Sequence, residues 1–296
     1  MSQPSETALG PVRFLPGPNK GKYPSCHSIY IDGAGVLIDP ASDRRRLAEL
    51  AAGPGVGHVW LSHWHEDHMT HLDLFEDAAL FVHQADAPPL ADIETFLDWY
   101  DMEGDYRQIW RAMMEKDFHY RPRRPAGWLE DGQVIDLGVV TVEVIAAPGH
   151  TPGHLALFFR EPAVLFLADY DLTPFGPWYG DRHSSIAQTE DSVRRLRQLP
   201  AQAWVACHGQ GLFTTQPGRL WDDYLAVIER RRQALRGLLT KPRTIDEVVA
   251  ARIVYQQAKM PKEFIDFGEK AIMGKHLGEL LATGEAVFEN NAYRLS

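Results

Sequence analysis

The chain has 296 residues, 45% of them hydrophobic, and 40 acidic against 30 basic side chains give a net charge of −10. That length buries a core sufficient for one large or two smaller domains, and the acidic balance disfavours sequence-independent binding of nucleic acid. Two cysteines are too few for a disulfide framework, Met1 to Thr7 lacks a signal-peptide core, and no apolar run reaches membrane-span length, so a cytoplasmic protein without a membrane partner is expected.

In chain order, Ser28 to Ile31 and Gly35 to Asp39 read as the first strands, a hairpin closed by the three-residue turn Asp32-Gly33-Ala34. His27, just before it, is expected to be a packed or exposed loop histidine. Arg44 to Ala52 reads as a short amphipathic helix stopped by Gly53-Pro54-Gly55. The apolar run Val59-Trp60-Leu61 is a buried strand that leads into His63-Trp64-His65-Glu66-Asp67-His68. Alternate residues of an extended segment point the same way, so His63 and His65 can reach one cation, and Asp67 and His68 past the bend can face a second. Imidazole nitrogen and carboxylate oxygen suit zinc and comparable divalent transition metals.

Residues 84–131 carry two helical stretches, Ala91 to Tyr100 and Asp105 to Lys116. Their aromatic and methionine positions, among them Tyr100, Trp110 and Met114, read first as inter-helix core, with a cap over a site as the functional alternative. Arg121-Pro122-Arg123-Arg124-Pro125 closes the segment as a solvated loop whose guanidiniums, if they reach a cleft, suit an anionic substrate tail.

Three more strands end on ligand-type residues. Val139 to Ala146 leads into Pro148-Gly149-His150-Thr151-Pro152-Gly153-His154, Val164 to Ala168 ends on Asp169, and Trp204 to Ala206 runs into Cys207-His208-Gly209. Four strand ends that present ligands define a site at the rim of a sheet. The loop 172–181, broken by prolines and glycines, carries Phe175, Trp178 and Tyr179 as an aromatic wall for substrate, and Tyr170 or Tyr179 can donate to a developing oxyanion. A loop pinned to the sheet by those same aromatics is the equal alternative.

Trp221 to Leu239 reads as a helix with the basic run Arg230-Arg231-Arg232 on a solvated face. Thr244 and Glu247 form a capping box opening a helix through Tyr255, and Phe264 to Leu281 is helical with a break allowed near Gly274. Ala286 to Glu289 and Ala292 to Leu295 read as a hairpin on the two-residue turn Asn290-Asn291. Mixed charge in this tail favours packing on the rest of the chain, or homodimerisation, over nucleic acid.

The four ligand segments, in this order across about residues 20–215, resemble the metallo-β-lactamase-fold hydrolase superfamily. The resemblance implies an α/β (α+β) fold, an αββα sandwich over residues 1–218 with a helical insertion at about 84–131. Residues 219–296 then resemble the winged-helix-like C-terminal domain of the β-lactamase-like protein 2 family. It also implies His63, His65 and His150 on one metal, Asp67, His68 and His208 on another, and Asp169 bridging; Asp171, past the end of the apolar run, is the competitor for the bridge and reads as a supporting or turn-forming residue. The implied cofactor is a pair of divalent ions, zinc by default, with iron and manganese fitting the same ligands. The implied activity is attack of a metal-bridging hydroxide, oriented by Asp67, on a small-molecule thioester, ester or lactone. The alternatives are a phosphodiesterase or endoribonuclease, a mononuclear iron sulfur dioxygenase, and a DNA-binding regulator.

Overall fold

The computed structural model describes residues 4–53, 55–257 and 260–296. A seven-stranded sheet takes β1 (Thr7–Leu9), β2 (Val12–Leu15), β3 (Ser28–Ile31), β4 (Val36–Ile38), β5 (His58–Trp60), β6 (Ala79–Val82) and β7 (Gly127–Trp128) in sequence order. It is antiparallel as far as β4 and parallel from β4 to β7. A six-stranded sheet runs β13-β12-β11-β10-β9-β8, built from β8 (Val134–Asp136), β9 (Thr141–Ala146), β10 (Leu155–Phe159), β11 (Val164–Ala168), β12 (Ala203–Ala206) and β13 (Leu212–Phe213).

Alternation along the strands stacks the two sheets. Ile29, Ile31, Val36, Ile38 and Trp60 of the first sheet meet Val142, Val144, Leu157, Val164 and Phe166 of the second in one core. The intervening residues turn outward. Leu37 and Val59 pack under α1 (Arg44–Ala52), α2 (Ile93–Trp99) and α3 (Gly104–Lys116), while Leu165 and Leu167 pack under α4 (Ile186–Leu196) and α5 (Leu220–Leu238). The result is the expected αββα layering. Central strands buried on both faces explain their unbroken apolar runs. Each fully buried Leu, Ile or Phe contributes about 1.5–3 kcal/mol.

The C-terminal segment continues with α6 (Ile245–Ala250), α7 (Lys262–Ala282) and the hairpin β14 (Ala286–Glu289)–β15 (Ala292–Leu295). The Thr244–Glu247 capping box forms, and Asn290 and Asn291 both take the positive φ that a two-residue hairpin turn demands. This segment does not pack alone: Tyr179 and Ile186 share its core with Ile228, Leu235, Ile272 and Leu277.

Some expectations are corrected. Two strands, β1 and β2, precede the expected first hairpin, whose loop spans 32–35 with Gly33 and Gly35 both left-handed. At the end of α1, Gly53 and Gly55 stop the helix as expected, and Pro54 lies outside the described residues. The helix opened by Thr244 ends at Ala250 rather than reaching Tyr255. The backbone N–H groups of Val254 and Tyr255 donate instead to the fully buried carboxylate of Glu269, at 2.7–3.1 Å. α7 runs unbroken through Gly274, because buried Ile272, Met273, His276 and Leu277 around it outweigh a glycine cost of about 1 kcal/mol.

Candidate metal centre

Loops at one edge of the sandwich carry the site. β5 delivers His63, His65, Asp67 and His68, β9 delivers His150, β11 delivers Asp169 and β12 delivers His208. The side chains converge as two clusters, His63–His65–His150–Asp169 and Asp67–His68–His208.

In the first cluster, His63 Nε2, His65 Nδ1 and His150 Nε2 lie 3.0–3.1 Å from one another. The far nitrogen of each ring faces an oxygen. His63 Nδ1 is 2.9 Å from Ser62 Oγ, His65 Nε2 is 2.7 Å from Asp181 Oδ2, and His150 Nδ1 is 3.0 Å from the Trp178 carbonyl. In the second cluster, His68 Nδ1 is 2.9 Å from Asp39 Oδ2 and His208 Nδ1 contacts the Gly21 carbonyl. Each outer nitrogen is thus set to donate, which turns a lone pair toward the centre. Three lone pairs at that spacing repel unless a cation lies between them. Two imidazoles on one tetrahedral zinc place their nitrogens about 3.3 Å apart, close to what is seen.

Asp169 stands between the clusters. Its Oδ2 lies 3.3 Å from His150 Nε2 and 3.9 Å from His63 Nε2, and its Oδ1 lies 2.9 Å from His68 Nε2 and 3.3 Å from His208 Nε2. Asp67 Oδ2 is 3.5 Å from His208 Nε2, and its Oδ1 is 3.9 Å from His68 Nε2. His68 Nε2 and Asp169 Oδ1 are buried, face each other at 2.9 Å without hydrogen-bond geometry, and have no other hydrogen-bond partner among the described residues. Such orphaned atoms are costly unless a ligand satisfies them. A nitrogen-and-oxygen donor set with two orphaned buried atoms fits a pair of divalent cations.

The electrostatics agree. Burial works against a charge on His208, but Asp169 and Asp67 outweigh it and hold the group up at about 10. On His65 burial is likewise outweighed, chiefly by Asp181, giving about 9. Burial drives His150 down to about 4. The carboxylates thus favour positive charge at His65, His68 and His208, which a metal ion can supply in place of protons, while burial keeps His63 and His150 neutral, the form that ligates.

Two supporting carboxylates escaped the sequence reading. Asp39, fully buried with φ 51°, accepts from Ser62 N at 2.8 Å, Ser62 Oγ at 2.7 Å and His68 Nδ1, and so steadies one histidine of each cluster. The apolar run of β4 ends on it, as β11 ends on Asp169, and that was the available signal. Asp181 accepts from Trp178 Nε1 at 3.0 Å and from His65, which ties the aromatic loop to the first cluster. Asp181→Asn should weaken metal affinity of that cluster by about 10–100-fold, as loss of an orienting partner does, in a competition titration against a chelator.

Over the clusters lies a cavity of about 710 Å³. Phe175 and Trp178, read from the sequence as an aromatic wall, line it. Tyr170 and Tyr179 do not, and their expected roles in substrate or oxyanion binding are corrected. Both are fully buried. Tyr170 Oη lies 3.0 Å from the carbonyls of Ala147 and Pro148, bracing the backbone that leads to His150. Tyr179 Oη lies 2.9 Å from His276 Nε2 and accepts from Arg231 at 3.1 Å, inside the C-terminal core. Arg231 also donates to the carbonyls of Phe175 and Pro177, so this member of the basic run is buried rather than solvated. Asp171 lines the cavity and its Oδ1 accepts from Thr173 N at 2.9 Å, the turn-forming role expected. His27 is buried and accepts from Gly17 N at 2.8 Å, a packed residue as expected. Arg121 and Arg123 border a separate shallow groove beside Met69 and His119, so they do not guide a substrate tail into this cavity. Tyr100 and Trp110 of the insertion line the cavity too, in the manner of the cap alternative, and the unanticipated wall residues are Tyr23 together with Tyr255, Phe264 and Phe267 from the C-terminal segment.

The sequence is similar to several characterised proteins. It is 38% identical over 108 residues to a hydroxyacylglutathione hydrolase of Rhodospirillum rubrum, covering 36% of this chain and 39% of that one. To an acyl-coenzyme A thioesterase, MBLAC2, of Gallus gallus it is 33% identical over 59% of this chain and 64% of the relative. To the atrochrysone carboxyl ACP thioesterase AgnL7 of Paecilomyces divaricatus it is 27% identical over 86% of this chain and 77% of the relative. The matched segment thus spans less than two thirds of the first and second of these relatives. The fold is shared with a metallo-β-lactamase family protein of Thermus thermophilus, at a TM-score of 0.72 and 23% identity, over 97% of this chain and 99% of that one. The family model described as the metallo-β-lactamase superfamily matches residues 21–208, a span that takes in every residue of both clusters, and this chain belongs to that superfamily.

Proposed function

We propose that this protein is a thioester hydrolase that works with two divalent metal ions. The observation that carries the reading is the placement of Asp169, one oxygen toward each histidine cluster, on the floor of a cavity walled by aromatic rings. His63, His65 and His150 would hold one ion, and Asp67, His68 and His208 the other, with Asp169 shared. When bound, such ions supply a water activated near neutral pH and polarise the oxygen of the group attacked. Zinc suits the donor set best.

The chain's own residues do the rest. Asp39, Ser62 and Asp181 fix the rings through their outer nitrogens. Asp67 directs its carboxylate toward His208 and His68 from the strand-end loop, where it can hold the attacking water and accept its proton. Ring faces of Trp178, Tyr100 and Trp110 exclude bulk water from the acyl group. No serine or cysteine nucleophile is required, and Cys207 is a fully buried strand-end residue 3.5 Å from Asp39. Names of the relatives, two thioesterases and a hydroxyacylglutathione hydrolase, support the thioester as the bond cleaved. Residues 219–296, read as a second unit, act as a wall of the same cavity rather than as a nucleic-acid module.

The test is a kinetic panel with metal-loaded protein. Hydrolysis of at least one thioester, lost on chelation and restored by zinc, is expected, with weak salt dependence for a neutral acyl group. Cleavage of single-stranded RNA without any thioester hydrolysis would contradict the reading, because a phosphodiesterase tracks a polyanion and its binding falls steeply with salt.

A further inference from the structure

α7 carries two kinds of apolar position. Ile265, Ile272 and Met273 are buried in the structure, whereas Phe264 and Phe267, three residues apart on one face, remain half-buried. Both line the cavity above the clusters. Phe267 meets rings from separate parts of the chain, with centroids 6.0 Å from Tyr100, 6.4 Å from Trp110 and 6.2 Å from Trp178. Phe264 joins Tyr23, at 5.3 Å, to Tyr255, at 6.1 Å. These separations fall within the ordinary range of edge-to-face and tilted aromatic contact, so the rings form one connected wall beside the cavity.

The polar groups on that wall are engaged with each other. Glu66, between two of the proposed ligands in sequence, accepts from Tyr23 Oη at 2.9 Å and Tyr100 Oη at 2.6 Å. Those hydroxyls are committed to Glu66, so the enclosure presents chiefly ring faces to an incoming group. Beyond the metal cluster itself, the carboxylates Asp67 and Asp171 share the lining with Lys20, Lys22, Asn19 and Thr173, so the cavity wall carries both signs of charge while the half-buried aromatic rings supply its apolar surface. A cavity of about 710 Å³ falls within the range for drug-sized ligands and is far larger than an acetyl or lactoyl unit requires.

We propose that Phe264 and Phe267 close a chamber for a bulky, apolar acyl group, and that Phe267 sets its depth, so the substrate is a thioester of a long-chain or ring-bearing acid rather than of a short hydroxy acid. This rests on the thioester reading above. It adds that the C-terminal helix sets the depth of the chamber whose other walls are Trp178 of the loop and Tyr100 and Trp110 of the insertion.

The test uses metal-loaded protein and one thiol carrier, coenzyme A, bearing acetyl, lactoyl, butyryl, octanoyl, dodecanoyl and benzoyl groups. Affinity of the matching non-hydrolysable thioethers is followed in parallel by isothermal titration calorimetry. Thioether affinity and kcat/KM should each rise by about fourfold per methylene, the transfer free energy of one buried CH2, and then level off. Phe267→Ala should move the plateau to acyl chains at least about two carbons longer, and Phe267→Trp should shorten it. Phe267→Leu, retaining apolar bulk, should lie between wild type and alanine, and guards against misfolding of the alanine variant. Preference for lactoyl over octanoyl, or a chain-length profile identical in wild type and all three variants, would overturn the proposal. Thioether affinity that climbs with length while no thioester is hydrolysed would sustain the chamber and defeat the thioesterase reading. Hydrolysis with no length dependence would do the reverse.

Discussion

Asp169→Asn is expected to reduce kcat by about 10²–10⁴-fold, the range spanned by loss of a preorganised charge at a reacting centre. The native carboxylate offers one oxygen to His150 and His63 and the other to His68 and His208. An amide keeps the shape but has one oxygen and no charge, so it can serve one cluster at most. Metal content should fall from two ions to one or fewer, measured by elemental analysis after gel filtration. The same substitution removes the charge that holds up His68 and His208, so protons no longer stand in for the missing cation. Two ions per chain together with wild-type turnover in this variant would show that Asp169 is not shared.

Asp67→Asn should cost a similar factor by another route. Asp67 lies at the wall of the cavity, 3.5 Å from His208 Nε2, and is one of the few acceptors that face both the second cluster and the substrate space. The amide fills the same volume but neither takes up a proton nor offers a full negative charge. A fall in kcat of about 10²–10⁴-fold with KM changed less than about threefold is the signature of an interaction made in the transition state. A rise in KM alone, with kcat and metal content preserved, would assign Asp67 to binding instead.

The two clusters were legible because each proposed ligand segment closes an apolar strand, so the pattern of buried run followed by His or Asp repeats four times and selects one rim of the sheet. Asp39 shows the limit of that logic. It closes β4 in the same way, yet a lone carboxylate after a strand is indistinguishable from a turn residue until Ser62 and His68 are brought to it by β5. Tyr170 and Tyr179 were misassigned because composition identifies an aromatic loop without fixing which rings face the cavity. Backbone carbonyls and Arg231 claim those two, while Phe175 and Trp178 face the site. Phe264 and Phe267 were readable as one face of a helix, but helical periodicity says nothing about which distant part of the chain that face meets. The early end of α6 has a similar origin, since Glu269, which captures the N–H groups of Val254 and Tyr255, comes from a different helix.

The most direct measurement is anomalous diffraction from crystals of the zinc-loaded protein, using crystals from a preparation shown to hydrolyse a thioester. Two ions are predicted, one among His63, His65 and His150 and the other among Asp67, His68 and His208, with Asp169 touching both. A single ion in either cluster, or two ions placed elsewhere, in protein that still turns over the thioester would contradict the shared two-metal site.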